Sequence, residues 1–217
     1  MKEFWALLKK EALLEWRRGY ALGGILLYLF STVFVIYATF RTVETLTWTA
    51  LFWIIAVFVS VNAIGKSFLQ ENEGRYLYYY SLTEANTVLA AKFVYNFLML
   101  LLLNLLAWLI FSLAVGNPVH RIGQFILVLI LGSLALSSIL TFISAIASKA
   151  GKSGTMMAIL SFPLLIPVLL TGLRITQNAA AIKGMGVDVK GDFLIMFAIN
   201  LLAGGMGFLL FPQIWKD

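Results

Sequence analysis

Six long runs without Lys, Arg, Asp or Glu divide this chain of 217 residues and constrain its fold more than any other feature. A helix that crosses a membrane needs about 20 predominantly apolar residues, and each run meets that length. Membrane β-barrels show alternating segments of ~10 residues instead. We therefore predict an all-α integral membrane protein, a single domain over residues 1–217 with six transmembrane helices. The predicted spans, none of which contains a charged residue, are residues 21–40, 46–65, 93–115, 122–148, 155–173 and 193–211.

Composition excludes several classes of protein. Hydrophobic residues make up 61% of the chain and charged residues 12%, about half the ~25% that is usual in soluble domains. A water-soluble globule is therefore excluded. The chain has no cysteine, which removes disulfides, iron–sulfur clusters and thiolate metal sites. His120 is its only histidine, so a multi-haem cytochrome with paired histidine ligands is excluded as well.

Basic residues are distributed unevenly between the predicted loops. Residues 1–20, the loops after the second and fourth spans, and the C-terminal tail together carry 11 Lys or Arg, whereas the remaining loops carry 5. Because positive charge accumulates on the cytoplasmic side of a membrane, we expect both termini in the cytoplasm. The same bias explains the net charge of +6, and a nucleic-acid partner is not needed to account for it.

Residues 1–20 have the pattern of an amphipathic helix that lies at the membrane surface. Successive residues of a helix are 100° apart around its axis, which places apolar and basic side chains on opposite arcs. Glu11 and Glu15 lie at one edge of the apolar arc and interrupt it. Two interpretations remain open, a general surface anchor and an elbow helix that leads into the first span and packs on a partner. The apolar arc consists of Phe4, Trp5, Leu8, Ala12 and Trp16, and the basic arc of Lys2, Lys9, Lys10 and Arg17.

The longest predicted cytoplasmic loop covers residues 66–92. Ser81 followed by Glu84 has the spacing of a capping box, which predicts a short helix from about Leu82 that runs directly into the third span. A short helix between two spans is a means for a membrane protein to receive force from a soluble partner. The compatible alternative is an interfacial aromatic belt formed by Tyr76, Tyr78, Tyr79 and Tyr80.

Pro163 and Pro167 lie four residues apart in the fifth span, and therefore on one face of the helix. Each lacks an N–H, so the carbonyls of Ile159 and Pro163 lose their helical donors and the helix must kink or break into two halves. In lipid, such carbonyls need other partners. The kink is either a tolerated irregularity, or it shapes a subunit interface or a translocation cavity.

No constellation of residues favours an enzyme. The spans contain no Ser–His or Asp–Asp pair. Gly151-Lys152-Ser153 is similar to the end of a phosphate-binding loop, but Ile146 occupies the position of the first Gly, so we do not expect ATP to bind this chain. The spans also lack the ionisable residues of ion-driven transporters, so another chain would supply the energy for uphill transport. His120, in a predicted outer loop, is either a solvated side chain or a haem ligand.

The order of these features resembles the CcmB family, whose members are permeases of the haem exporter of cytochrome c maturation. The resemblance covers the whole chain, from the amphipathic N-terminus through the spans. It includes a cytoplasmic loop with Glu71, Glu73 and Gly74 that ends in Ala91-Lys92. Its most specific part is the fifth span, with the sequence Phe162-Pro163-Leu164-Leu165-Ile166-Pro167-Val168-Leu169.

The resemblance implies a permease of the ABC exporter type that is not itself an enzyme. It implies a separate CcmA-like ATPase whose ATP hydrolysis drives the export or release of haem for c-type cytochromes. It also implies a homodimer of this chain, association with a CcmC-like haem-handling protein, an indirect partnership with a CcmE-like haem chaperone, and the bacterial inner membrane as the location. Haem is then the cargo, with no cofactor bound by this chain. The implied residues of the ATPase-coupling loop are Glu71, Glu73, Gly74, Leu82, Glu84 and Lys92.

Two other functions stay open at this point. The chain is also compatible with an ABC exporter permease for another cargo, such as a lipid, a glycan or a drug. It is compatible as well with a membrane scaffold that assembles other proteins and transports nothing. A requirement for an ATPase would separate the scaffold from the transporters, and a requirement in cytochrome c maturation would separate haem from other cargoes.

Overall fold

A computed structural model of the chain describes residues 2–17, 20–40, 42–65, 84–149, 153–181 and 188–216. In those residues the protein is all helical, and six of its helices are long and apolar enough to cross a membrane. The predicted all-α class with six transmembrane helices is therefore confirmed. The helices are α1 (Lys2–Arg17), α2 (Tyr20–Thr39), α3 (Thr45–Ile64), α4 (Ala85–Val115), α5 (Ile122–Lys149), α6 (Ser153–Ala180) and α7 (Lys190–Lys216).

The ends of the helices depart most from the predicted spans where a charged residue had set the limit. Spans one, two and four are confirmed to within one residue at each end. However, α4 begins eight residues before the predicted position and α6 continues seven residues beyond it, so Lys92 and Arg174 lie inside span-length helices. The prediction that no span contains a charged residue is wrong for this reason. A charge near a helix end is tolerated where it is paired or reaches the interface, and the guanidinium of Arg174 lies 3.6 Å from Asp192 Oδ1.

Helix α5 is the centre of the bundle and packs against α3, α4, α6 and α7. Helix α4 bonds to it directly, since Asn96 Nδ2 donates to Thr141 Oγ1 at 2.9 Å and Ser137 Oγ donates to the carbonyl of Phe93 at 3.2 Å. Small residues at every fourth position of α5 are all buried, and such a face lets another helix approach closely. They are Ser133, Ser137, Thr141 and Ala145.

The buried indole of Trp53 lies where α3, α5 and α6 meet. Trp53 of α3 donates its Nε1–H to Thr176 Oγ1 of α6 at 3.0 Å. A Cβ at Gly172 would lie 2.5 Å from this ring, and one at Gly132 of α5 would lie 2.6 Å from it. Both glycines are therefore required for the three helices to surround the indole.

Candidate functional site

A buried ion pair joins the N-terminal helix to the base of α4. Lys92 is only 1% exposed, and its Nζ lies 3.1 Å from Glu11 Oε1. Lys10 Nζ lies 2.9 Å from the same carboxylate oxygen. Because a buried charge is strongly unfavourable unless it is paired, this geometry holds α1 and α4 in one relative position.

The carboxylate of this pair is ionised at neutral pH. Burial raises the pKa of Glu11, but the charges of Lys92 and Lys10 and their hydrogen bonds to the carboxylate lower it by more, so that the pKa lies below its ordinary value of 4.5. The carboxylate therefore stays negative throughout the physiological range and keeps its attraction for Lys92.

Apolar contacts surround the ion pair. Leu7 of α1 is buried against the first turns of α4, and Phe4 packs against the same group of side chains. One residue each from α5 and α7 completes this cluster, so α1 contacts the end of the bundle where α4 begins. Helix α1 therefore packs on α4 of the same chain, whereas packing on a partner, as in the elbow-helix interpretation, stays a prediction. The buried members of the cluster are Leu7, Val88, Leu89, Ala91, Ala145 and Phe211.

The face that α1 turns to the bundle differs from the predicted apolar arc. Trp5 is 66% exposed and Ala12 is exposed, whereas Leu7, which lay outside that arc, is buried. The buried side is rotated toward Leu7 and Glu11 because Lys92 needs a carboxylate. Glu11, which looked in the sequence like a disturbance of the arc, is therefore part of the contact. The position of Glu11 beside the apolar arc is the sequence signal that could have indicated a buried cation, here Lys92, on the helix that packs against α1.

Only part of the predicted coupling loop is described. Glu71, Glu73, Gly74 and Leu82 lie outside the described residues, as does Ser81. Glu84 is described, and it is the N-cap of α4, with an extended backbone at φ −69° and ψ 142°. Its side chain makes no capping bond.

The predicted run of helix from Leu82 into the third span is wrong at Glu84. An extended residue cannot continue a helix, and α4 therefore begins at Ala85. The carbonyl of Glu84 accepts hydrogen bonds from the backbone N–H groups of Thr87 and Val88, as an N-cap carbonyl does. Glu84 and Lys92 thus lie at the same end of one helix, eight residues or about 12 Å apart along its axis.

The two prolines lie elsewhere, on α6. The helix is continuous from Ser153 to Ala180 and does not break into two halves at Pro163 or Pro167. Both prolines are exposed, while Leu165 and Val168 are buried against the bundle. The prolines therefore face away from the core of this chain, toward lipid or another subunit. Since α6 packs chiefly on α3, α5 and α7, they belong to a different part of the bundle from Lys92.

His120 lies at the opposite end of α4 from Lys92, in the connection between α4 and α5. The residue is exposed, and its backbone N–H donates to the carbonyl of Ala179 at 3.1 Å. Among the described residues, no group of three His, Asp or Glu side chains is placed to hold a metal ion. The structure therefore places His120 in the exposed connection between α4 and α5.

The fold and this site define a multi-pass helical membrane protein with its N-terminal helix fastened to the base of one span. The chain belongs to the CcmB protein family, which it matches over residues 2–209. Membership makes it a haem-exporting ABC transporter component for cytochrome c maturation, a permease subunit and not itself an enzyme. The family implies association with CcmA-like and CcmC-like proteins. No curated protein matches the chain.

Proposed function

We propose that this chain is the permease subunit on which a separate CcmA-like ATPase acts to export or release haem for c-type cytochrome maturation. ATP is bound by the partner, and haem is the cargo of the complex. Two copies of the chain assemble with two ATPase subunits and a CcmC-like protein, and haem passes onward to a CcmE-like chaperone. The complex resides in the bacterial inner membrane, with both termini of this chain in the cytoplasm.

The observation that carries the proposal, beside family membership, is the connection from the predicted ATPase loop to α4. The predicted loop over residues 66–92 overlaps the start of α4, because Glu84 is the N-cap of a helix of 31 residues, about 46 Å long. A displacement of Glu84 is transmitted along this helix because its backbone hydrogen bonds make it stiff.

The Lys92–Glu11 pair extends that connection to α1. Since the pair and the apolar cluster around Leu7 fix α1 to the base of α4, the two helices move together. A force applied at Glu84 therefore moves α1 together with the first turns of α4, and not the end of α4 alone.

Cysteine cross-linking tests the docking of the ATPase, and the native chain contributes no cysteine background. Glu84 and Asn86 are exposed, whereas Val88 in the next turn is buried. We expect Glu84→Cys and Asn86→Cys to capture the ATPase and Val88→Cys, the matched control, to fail. The proposal is wrong if the exposed positions react only with water-soluble reagents while the complex remains assembled.

A catalytically inactive ATPase partner separates the proposal from the scaffold alternative. Under the proposal, the complex assembles with the inactive partner but holocytochrome c does not accumulate. Normal accumulation with that partner would indicate a scaffold. Loss of export of another cargo, with normal cytochrome c, would indicate a different transporter.

A further inference from the structure

Three side chains on successive turns of α4 each carry a buried polar atom without a hydrogen-bond partner in the described part of the chain. These atoms are Asn104 Oδ1, Trp108 Nε1 and Ser112 Oγ. Residues four apart lie on one face of a helix, and each step along that face is about 6 Å. The three side chains therefore leave the helix in a row on one face, which we call the α4 polar row.

The unsatisfied state of Asn104 does not depend on which way its amide is turned. Asn104 is 3% exposed, and its Nδ2 donates to Ser133 Oγ of α5 at 3.0 Å. If the amide were reversed, the serine would donate to its oxygen instead. Ser133 therefore satisfies one end of the amide in either orientation, and the other end always needs a partner.

Trp108, which is half-buried, differs from Trp48 and Trp53, two buried tryptophans in the described part of the chain. The indole N–H of Trp48 donates to the carbonyl of Gly116 at 2.9 Å, and that of Trp53 donates to Thr176 Oγ1. Trp108 packs its ring on Phe125 of α5, with the ring centroids 5.2 Å apart, but its buried N–H has no acceptor among the described residues. An indole N–H can only donate, so this atom requires an acceptor.

Ser112 is the third member of the row and lies close to the end of α4. Other serines in the bundle donate to the carbonyl four residues before them, as Ser60 and Ser138 do at 2.7 Å. Within the described part of the chain, Ser112 Oγ makes no such bond. Gly116 and Asn117, which follow α4 directly, are exposed, so the row extends from this open end of the helix toward the middle of the span.

We propose that the α4 polar row binds ordered water molecules that enter from the Gly116 end. A polar atom in the hydrocarbon region must be satisfied by protein or by water. A single bridging water joins atoms about 4.6 Å apart, since its two hydrogen bonds are each about 2.8 Å long and meet at a near-tetrahedral angle. Successive members of the row are about 6 Å apart along the helix axis, so one or two waters would link each pair. Water can donate to Asn104 Oδ1, accept from the indole N–H of Trp108, and either donate to or accept from the hydroxyl of Ser112.

With this water bound, the two ends of the α4–α5 interface are held by different kinds of hydrogen bond. Near the Lys92 end, direct bonds from Asn96 and Ser137 join the two helices. Beyond Asn104, water mediates the polar contacts, and water-mediated bonds can form again after a small shift of one helix. The site itself does not depend on the proposed function, and its test does not use transport.

Radiolytic hydroxyl-radical footprinting of the full chain in lipid nanodiscs tests the site, because radicals generated at a bound water oxidise the side chain beside it. With water labelled by ¹⁸O, we expect Trp108 to take up the label several-fold faster than Trp48 and Trp53. Those two buried tryptophans serve as internal controls because their N–H groups are bonded to protein. Equal rates for the three tryptophans would overturn the proposal.

A double variant distinguishes labelling of Trp108 by water bound at the row from labelling that follows from exposure of its ring. Asn104→Leu with Ser112→Ala removes the polar neighbours, and labelling of Trp108 should fall to the rate of Trp53. Asn200→Leu is the matched control, since Asn200 of α7 is also a buried asparagine with an unpartnered Oδ1 but lies off the row. Unchanged labelling in the folded double variant would overturn the proposal. If that variant fails to fold, the single variant Ser112→Ala replaces it, and unchanged labelling of Trp108 in that variant would overturn the proposal.

Discussion

Lys92 Nζ and Glu11 Oε1 lie 3.1 Å apart although 81 residues separate them in the chain. The lysine belongs to a span-length helix and the glutamate to the amphipathic N-terminal helix. Their contact turns two elements that the sequence suggests separately, a surface helix and the entrance to a span, into one mechanical unit. In a permease this unit lies next to the predicted docking loop for the ATPase.

Removing the two partners of this ion pair has unequal consequences. Glu11→Gln takes the carboxylate away from a buried lysine, and we expect it to destabilise the fold by about 3 kcal/mol. Lys92→Met should cost less, because Lys10 remains 2.9 Å from Glu11. Thermal unfolding in detergent measures both variants. Lys9→Met, at an exposed position, is the control and should match the native chain; equal stability of all three variants would contradict the role of the pair.

The attachment of α1 should be lost only in acid. Because the pKa of Glu11 is lowered below 4.5 in the folded protein, its stabilisation is fully present above that pH and is lost as the pH falls through the lower folded value. Hydrogen exchange of the α1 amides at a series of pH values measures this. In Glu11→Gln the acid-dependent step should be absent. Release of α1 already at neutral pH in the native chain would show that another group controls it.

Gly172→Ala should destabilise the bundle by overpacking. The added Cβ would lie 2.5 Å from the indole of Trp53, and a forced fit of this kind costs about 1–3 kcal/mol. Trp53→Phe in the same chain should relieve part of the loss because the smaller ring makes room. The control is Gly204→Ala, where nothing lies within 4 Å of the new Cβ, so that variant should be neutral or slightly more stable. Thermal unfolding of these variants and the native chain is the measurement.

The paired prolines of α6 should matter for function more than for assembly. Both face away from the core, so replacing Pro163 and Pro167 with Ala leaves the packing of this chain intact. We expect the double variant to co-purify with the ATPase and to sustain ATP turnover while the yield of holocytochrome c falls. Loss of co-purification would instead assign the prolines to a subunit interface. Native values for all three measurements would mean that the two prolines serve neither purpose.

The isolated chain should not hold haem tightly. His120 is its only histidine, it lies in an exposed connection, and the described residues hold no cluster of three His, Cys, Asp or Glu side chains. Absorption spectra of the purified chain after incubation with haem should show no stoichiometric Soret band. A 1:1 haem complex that disappears in His120→Ala would make His120 a haem ligand and contradict this prediction.

The sequence alone determined the number of spans and most of their positions. Apolar character is a property of each residue, so a run of such residues predicts a spanning helix wherever the rest of the chain lies. The same reasoning made the third and fifth spans too short, because it stopped at Lys92 and Arg174. Whether a charge can lie within a helix depends on its partner, and a partner distant in the chain is not visible in a local run.

The tertiary structure alone decided which polar groups meet. The pairing of Glu11 with Lys92, the rotation of α1 toward Leu7, and the partners that Asn104 and Trp108 have or lack all follow from how the helices pack. Glu11 shows why these could not be predicted. In the sequence Glu11 is a charge that disturbs an apolar arc. Its position is favourable only because the buried Lys92, 81 residues further along the chain, packs against it in the folded protein.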